Sequence, residues 1–445
     1  MKKLKAAVVM VLVIVMAASL LYGCAPKTTP TPSAAPPSSA APATSAAPAT
    51  SAAPATSAAP ATSNPNHEVY TMANRVPWSG VYAPVTASRA SINKGIKADN
   101  KKDKVKVGYA TWTVGTPFFA ASADEIKKLC DEYGYELVQV VSDGDINKQV
   151  ANIESLVTMG VDVIIDCDYS VEAELTAVKT AVAAGIPVIG YGLPFPADSP
   201  VVTTSATTYY EQGFMIGQLA AKQFVGKDVK AATLPGMVGH TIAESKLNGF
   251  IGGFVYERAI QLGKPFATRE DAMLYGYNLE QQIVKSAKFS DPDLKWEVVA
   301  SIDGSWSIDG GQKAMEDIIT AHPDINLVFT DNDQEGFGAI KAMENAGIKV
   351  GTDVLLCSVG DGTKEAMQLI KDGKYLGITL ASPYTWAGSC VRLARKIFTE
   401  GFDATNLPAE TYVENVMVTK DNVDKWLTDK EFATLPDVVF KPIGK

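Results

Sequence analysis

Histidine, cysteine and surplus basic charge are scarce in this 445-residue chain. The three histidines, His67, His240 and His322, are scattered, and the five cysteines, Cys24, Cys130, Cys167, Cys357 and Cys390, form no C-x-x-C pair. Metal centres and cysteine nucleophiles therefore have little support, and no metal or cofactor is expected. Cys130, Cys167, Cys357 and Cys390 sit in apolar stretches and read most simply as free core thiols. Lys and Arg number 40 against 49 Asp and Glu, with no basic stripe. An acidic body of this kind argues against a nucleic-acid partner. Also missing are the G-x-S-x-G elbow, the Walker A loop, H-E-x-x-H and G-x-G-x-x-G. No enzyme activity is expected. Acidic pairs such as Asp331 and Asp333 could mimic a glycosidase, but carboxylates serve ligand binding equally well.

What is present begins with Lys2, Lys3 and Lys5, an apolar run over residues 6–21, and then Gly23-Cys24. A basic start, a short apolar stretch and small residues at the cut read as a signal peptide over 1–23. The run is shorter than the ~20 apolar residues a membrane span requires. Cys24 after Gly23 resembles the bacterial lipobox, so Cys24 is the expected lipid attachment site. Cleavage before Cys24 would remove three lysines and no acid, leaving 37 basic against 49 acidic side chains. Residues 24–66 follow as a Pro/Ala/Ser/Thr segment in which PATSAA repeats from Pro42. Such a composition cannot bury enough apolar surface to fold, and its prolines make it a spacer of about 100 Å at ~3.1 Å per residue. Residues 67–103 hold Tyr70, Trp78 and Tyr82 but show no readable period.

From about Lys104 onward the pattern changes. The remaining ~340 residues exceed the comfortable size of one core, which favours two lobes. Short β-branched runs at 105–109, 136–141, 161–167 and 187–191 alternate with helix-period segments at 118–132, 146–159 and 175–184. The rhythm restarts after Val202, with strands expected at 231–234, 296–301, 327–330, 354–359 and 377–380. The fold class is therefore α/β, with two doubly wound parallel-sheet lobes. The expected division is 104–206 plus 383–411 for lobe 1 and 207–382 plus 412–445 for lobe 2. The stretch between Phe254 and Trp296 is weakly patterned. Ligands of such sheets bind beyond the strand C-termini, so two facing lobes would enclose a cleft.

The residues just after each strand are then the site candidates. Trp112 and Thr116-Pro117-Phe118-Phe119 follow the first strand, with Thr then Pro signalling a helix start. Asp331-Asn332-Asp333 and Gly360-Asp361-Gly362-Thr363 follow two later strands, and Trp306 lies in a Gly/Ser/Asp stretch. Either phenylalanine could be core, and Asp361 could simply cap the next helix. Aromatic faces with Asn and Asp acceptors suit a polyhydroxylated ring, because rings cover C–H faces and carboxylates take hydroxyl protons.

Pro117-Phe118-Phe119, Ile186-Pro187-Val188-Ile189, Asn248-Gly249-Phe250, His322-Pro323-Asp324, Asn332-Asp333 and Gly360-Asp361-Gly362-Thr363 occur in a telling order. Over roughly 104–400 the chain resembles the ribose-binding-protein branch of the type I periplasmic sugar-binding proteins. The resemblance implies two lobes joined by three crossovers and closing on a sugar. Phe118 and Phe119 match its stacking pair, Trp306 its second-lobe aromatic, and Asn332 and Asp361 its hydroxyl-binding pair. Three positions depart. Gly190-Tyr191-Gly192-Leu193 stands where the family often has Asp-Arg, Glu244 near a sugar-binding Arg, and Ser382 near a hinge Gln, with Tyr384 and Trp386 close by. Tyr191, Glu244 and Ser382 join the candidates on that ground. The departures suggest a roomier pocket for a larger sugar, an oligosaccharide or a ligand with a positive group. The implied partners are a small-molecule sugar, ABC permease subunits and the membrane through the lipid, with a monomer located outside the cytoplasm. The alternative is a sensory receptor of the same fold that binds a sugar-like furanose signal. A LacI-type repressor shares the core but needs an N-terminal helix-turn-helix, which the leader and spacer displace.

Overall fold

β-Branched runs alternate with helix-period segments along the chain, and each adopts the conformation its period dictates. The computed structural model describes residues 90–96, 104–196 and 199–435. Cys24, the spacer and most of 67–103 lie outside the described residues.

The first half runs β1 (Lys106–Thr111), α1 (Pro117–Tyr133), β2 (Glu136–Val141), α2 (Ile146–Thr158), β3 (Val163–Cys167), α3 (Val171–Ala183), β4 (Val188–Tyr191) and β5 (Thr204–Ala206). The second half continues with α4 (Tyr209–Ala221), β6 (Val229–Leu234), α5 (Thr241–Gln261), α6 (Arg269–Ser286), β7 (Phe289–Asp291), β8 (Trp296–Ser301), α7 (Ile308–Ala321), β9 (Leu327–Thr330), α8 (Asp333–Asn345), β10 (Leu355–Gly360), α9 (Lys364–Lys371) and β11 (Gly377–Leu380). Helix α10 (Pro383–Phe398) and strands β12 (Glu410–Tyr412) and β13 (Val416–Thr419) close the fold.

Two sheets result. One has the order β12-β5-β4-β3-β1-β2, and the other β13-β11-β10-β9-β6-β8-β7. The first is parallel throughout. In the second, only β7 and β13 run antiparallel to their neighbours. Strand β1 lies between β2 and β3, with Val107 opposite both Leu137 and Val163. Helices cover both faces, which is why β3 and β4 are buried along their whole length.

The chain passes between the sheets three times: from β5 into α4, from β11 into α10, and from β12 into β13. Hydrogen bonds knit these passages together. The Trp386 indole donates to the Ser205 carbonyl at 2.8 Å, Thr207 Oγ1 donates to Asn415 Oδ1 at 2.8 Å, and Asn415 Nδ2 donates to the Thr208 carbonyl at 3.3 Å.

Two regions without a readable pattern take definite form. Residues 269–286 make α6, whose Thr268 and Asp271 form a reciprocal capping box. In the N-terminal extension, buried Asn93 donates to the carbonyls of Val202 and Ala404 at 3.1 and 2.7 Å, pinning 90–96 to lobe 1. The tail at 432–435, expected with lobe 2, touches both sides. Phe432 bridges to Thr363, while Leu435 N donates to Thr385 Oγ1 at 3.0 Å. Among the described residues no helix is long and apolar enough to cross a membrane.

Candidate ligand-binding cleft

A cavity lies where the C-terminal ends of β1, β3 and β4 face those of β9 and β10. It holds about 910 Å³ of empty space, its open mouth included. Trp112, Phe118, Phe119, Tyr191, Trp306, Asn332 and Asp361, all anticipated from sequence, line it. Asp168, Tyr209, Gln212, His240, Lys246 and Trp386 also line it.

The first lobe supplies mainly rings. Thr116 is the N-cap of α1 without a side-chain cap bond, and Pro117 begins the helix. Phe118 and Phe119 therefore leave its first turn together. Trp112 meets Phe119 edge-on with centroids 5.0 Å apart, and Phe118 meets Trp386 at 6.0 Å. Trp386 also packs against Tyr191 and Tyr209 at 5.3 and 5.8 Å. A row of rings then joins the lobes: Trp112 to Tyr169 at 5.2 Å, Tyr169 to His240 at 5.8 Å, and His240 to Trp306 at 5.0 Å.

Behind the rings the loop after β3 is held by acids. Glu174 Oε1 accepts from the Tyr169 and Ser170 amides, both at 2.9 Å. Asp166 Oδ1 accepts from Gln149 Nε2 at 3.1 Å. Asp168 Oδ1 accepts from Leu193 N at 2.9 Å, while its Oδ2 is buried with no protein partner. Burial, with Glu174 adding to it, pushes the Asp168 carboxyl well above the ordinary range.

In the second lobe, α4 and α5 approach backbone to backbone. A Cβ on Gly213 would sit 2.1 Å from the Lys246 carbonyl oxygen, so only glycine fits there. This contact sets the first turns of α5 against the cleft. Lys246 Nζ reaches the Asp331 carbonyl at 2.9 Å and Asp331 Oδ2 at 3.3 Å, a pair almost wholly out of water. The Trp306 indole N–H donates to the same Oδ2. Glu335 then accepts from Trp306 N at 2.9 Å and from Asp331 N at 3.0 Å. Trp306 itself has φ of +47°. Its indole occupies the space a Cβ on Gly236 would need, with Nε1 at 1.6 Å. Fixed backbone, a fixed indole and a missing side chain thus hold one ring at the cavity.

The remaining candidates divide. Asp361 does not cap α9; Thr363 does, its Oγ1 accepting from Ala366 N at 3.2 Å. Burial, then Asp333, pushes the Asp361 carboxyl well above its usual value. Asn332 lines the cavity, yet its Oδ1 is the cap of α8, accepting from Glu335 N at 3.0 Å. Tyr191 shows its ring, while its hydroxyl is spent on Ser122 Oγ at 2.7 Å. Two candidates are not brought to the cavity lining. Glu244 is one: two residues along a helix turn the side chain about 200°, and Lys246 lines the cavity instead. Ser382 is the other, because its hydroxyl donates to the Ala433 carbonyl. Gln212 was not anticipated; it is fully buried, and neither amide atom has a protein partner.

These surroundings make stability depend on pH. Asp166, Asp168, Glu174, Asp333, Glu335 and Asp361 are all raised, each chiefly by burial. His240 is lowered to about 4 by burial and by Lys246. In the unfolded chain the carboxyls ionise near pH ~4, whereas in the fold they keep protons to higher pH. The folded state therefore binds more protons, and this stability is lost as pH rises through the folded values. His240 acts oppositely, its contribution falling away as pH drops from about 6.5 towards 4. Above about pH 6.5 the His240 contribution no longer changes and the raised carboxyls alone set the sign, so ligand-free protein should lose stability as pH climbs from there. An equal or lower melting temperature at the acid end of that range would refute this assignment.

Against this geometry, a family model described as a periplasmic binding protein domain matches residues 107–401. The chain belongs to that family. Its two doubly wound lobes and three crossovers are the type I architecture expected from the sequence. Among curated proteins it is similar to the ribose import binding protein of Salmonella typhimurium, at 27% identity over 67% of this chain and 86% of the relative. It is similar as well to a Mycobacterium smegmatis protein solved in complex with β-D-fucofuranose, at 25% identity and TM-score 0.57, covering 73% of this chain and 94% of the other. An ABC transporter solute-binding protein from Mycobacterium smegmatis with bound glycerol shares the fold. There the identity is 23% and the TM-score 0.58, over 74% of this chain and 99% of that one. Among the described residues no His/Cys/Asp/Glu group is placed to hold a metal ion.

Proposed function

We propose that this protein is an extracytoplasmic solute-binding lipoprotein, which captures a sugar between its lobes and delivers it to an ABC importer. One observation carries the reading: an aromatic-walled cavity at opposed strand ends in which polar groups are left without protein partners. Rings can cover the C–H faces of a sugar, and Asp361, Asp168 and Gln212 can meet its hydroxyls. The names of the relatives support the sugar, including ribose import and D-apiose import binding proteins. The three knitted crossovers suit a hinge, since clefts of this kind close by rotation of one lobe on the other.

The test is a thermal-shift screen of mono- and oligosaccharides, followed by small-angle scattering with the best ligand. A ligand that binds only the native state raises the melting temperature by mass action. Compaction on binding is the expected result, and tight binding with no change in radius would sink the clamp.

The tether is tested separately. Replacing Cys24 by Ser should release the protein to the soluble fraction or leave it unprocessed, because the lipid on that thiol is what would hold it to the bilayer. Normal processing with unchanged membrane retention would rule the lipid out.

A further inference from the structure

The charge balance of the cavity narrows the ligand, on the premise that the site takes a sugar. Four ionisable side chains other than tyrosine and cysteine line it: Asp168, His240, Lys246 and Asp361. Lys246 is committed to Asp331. His240 uses Nδ1 as an acceptor for the Ile242 amide at 3.3 Å, which fixes that nitrogen as unprotonated. No arginine lines the cavity, and Glu244 stands near where the resemblance placed one. Two carboxyls are left over, one in each lobe.

Asp168 and Asp361 take part in no ion pair among the described residues; Lys246 acts on Asp361 only through space while it bonds Asp331. Asp168 has a buried oxygen without a partner, and Gly192 beside it adds no side chain, a Cβ there falling 3.4 Å from Asp168 Oδ1. Asp361 receives no hydrogen bond from a protein side chain among the described residues; Asp333 behind it is another acid, held by Thr363 N and Oγ1 at 2.9 and 2.8 Å. Gln212 adds a buried amide with both ends unpartnered. Burying an anion without a counter-charge is costly, which is why both carboxyls hold their protons to higher pH; an ammonium brought by the ligand lets one of them release its proton to solvent and pair as the cleft closes.

We propose that the ligand is an amino-substituted sugar or polyol, whose ammonium group pairs with Asp168 or Asp361 while Gln212 binds a neighbouring hydroxyl. An acidic sugar would find no cation that is not already paired, since Lys246 is held by Asp331, and is not expected to bind.

The experiment is calorimetry on the mature protein at neutral pH. The probes are amino sugars, 1-amino-1-deoxyalditols and iminosugars, each paired with its neutral hydroxyl parent and, where it exists, its N-acetyl derivative. An amine that binds about tenfold or more tighter than both neutral partners supports the proposal. That preference should vanish in Asp168→Asn or Asp361→Asn, whichever carboxyl holds the ammonium. Neutral parents that bind as well as their amines overturn the ammonium while leaving the sugar reading intact. So does neutral-sugar binding that weakens steadily as pH rises, since it marks both carboxyls as protonated donors. Failure of every probe, charged or neutral, overturns the sugar reading and this proposal with it. The wild-type comparison decides the matter even if a variant fails to fold.

Discussion

Replacing Lys246 by Met should destabilise the second lobe by about 3–5 kcal/mol, the usual cost of removing one partner from a buried ion pair. Asp331 is fully buried, and its Oδ2 is held by Lys246 and by the Trp306 indole. Without the ammonium, one negative charge stays out of water with a single N–H donor, and its backbone carbonyl loses its 2.9 Å contact with Nζ. Chemical denaturation should show an earlier transition. Adding Asp331→Asn removes the stranded charge and keeps an oxygen for the indole, so the double variant should recover part of the loss. A single-variant midpoint equal to wild type would show that the pair contributes nothing. A double variant as unstable as the sum of both would show that the two side chains do not act together.

Cutting Asp361 to Ala should strike affinity rather than folding, and cutting Trp306 to Ala should strike affinity first, with a smaller stability loss from the indole donor that Asp331 loses. Trp306 is half-buried at the cavity, and the Gly236 gap holds its indole in place. Losing the ring should cost roughly tenfold in sugar affinity, as ~60 Å² of covered surface at ~25 cal/mol per Å² implies. Losing the Asp361 acceptor leaves ligand hydroxyls unmet, at ~1–3 kcal/mol or about fivefold to 150-fold. Melting temperature and affinity are read on the same two proteins. A core role for Trp306 would instead cost ~3–5 kcal/mol of stability. A large melting drop with affinity intact in the surviving fold would reject the proposed site.

The alternation of strands and helices was legible because two buried faces demand two distinct periods. Helix α6 was not, since its inward side mixes Met273, Leu279 and Ile283 with Ala272, Gly276 and the carboxylate of Glu280, which breaks up the apolar stripe. Its T-x-x-D capping box, Thr268 to Asp271, was a usable signal nonetheless. Trp112, Phe118, Phe119, Trp306, Asn332 and Asp361 were legible as cavity-lining residues because the strand ends of such sheets open into the cleft. Asp168 obeys the same rule, one residue beyond β3, but a short acidic stretch beside Asp166 reads as a solvated turn. Gln212 sits in the first turn of α4, and nothing in its neighbours distinguishes it from an ordinary surface glutamine. Glu244 shows the limit of carrying a residue over by spacing alone: on a helix an error of two positions reverses the face.

The threefold passage of the chain between lobes also dictates the order in which the molecule can be assembled. Strand β5 pairs with β12, and β11 with β13, so each sheet has an edge completed only by the last strands. Thr207 waits 208 residues for Asn415. During synthesis, the first lobe stands with an unpaired strand edge until nearly the whole chain has been made, and such edges invite pairing with other chains. Neither lobe can mature as a beginner's half of the protein. A chain stopped at residue 400 would lack β12 and β13 alike and leave both sheets unfinished.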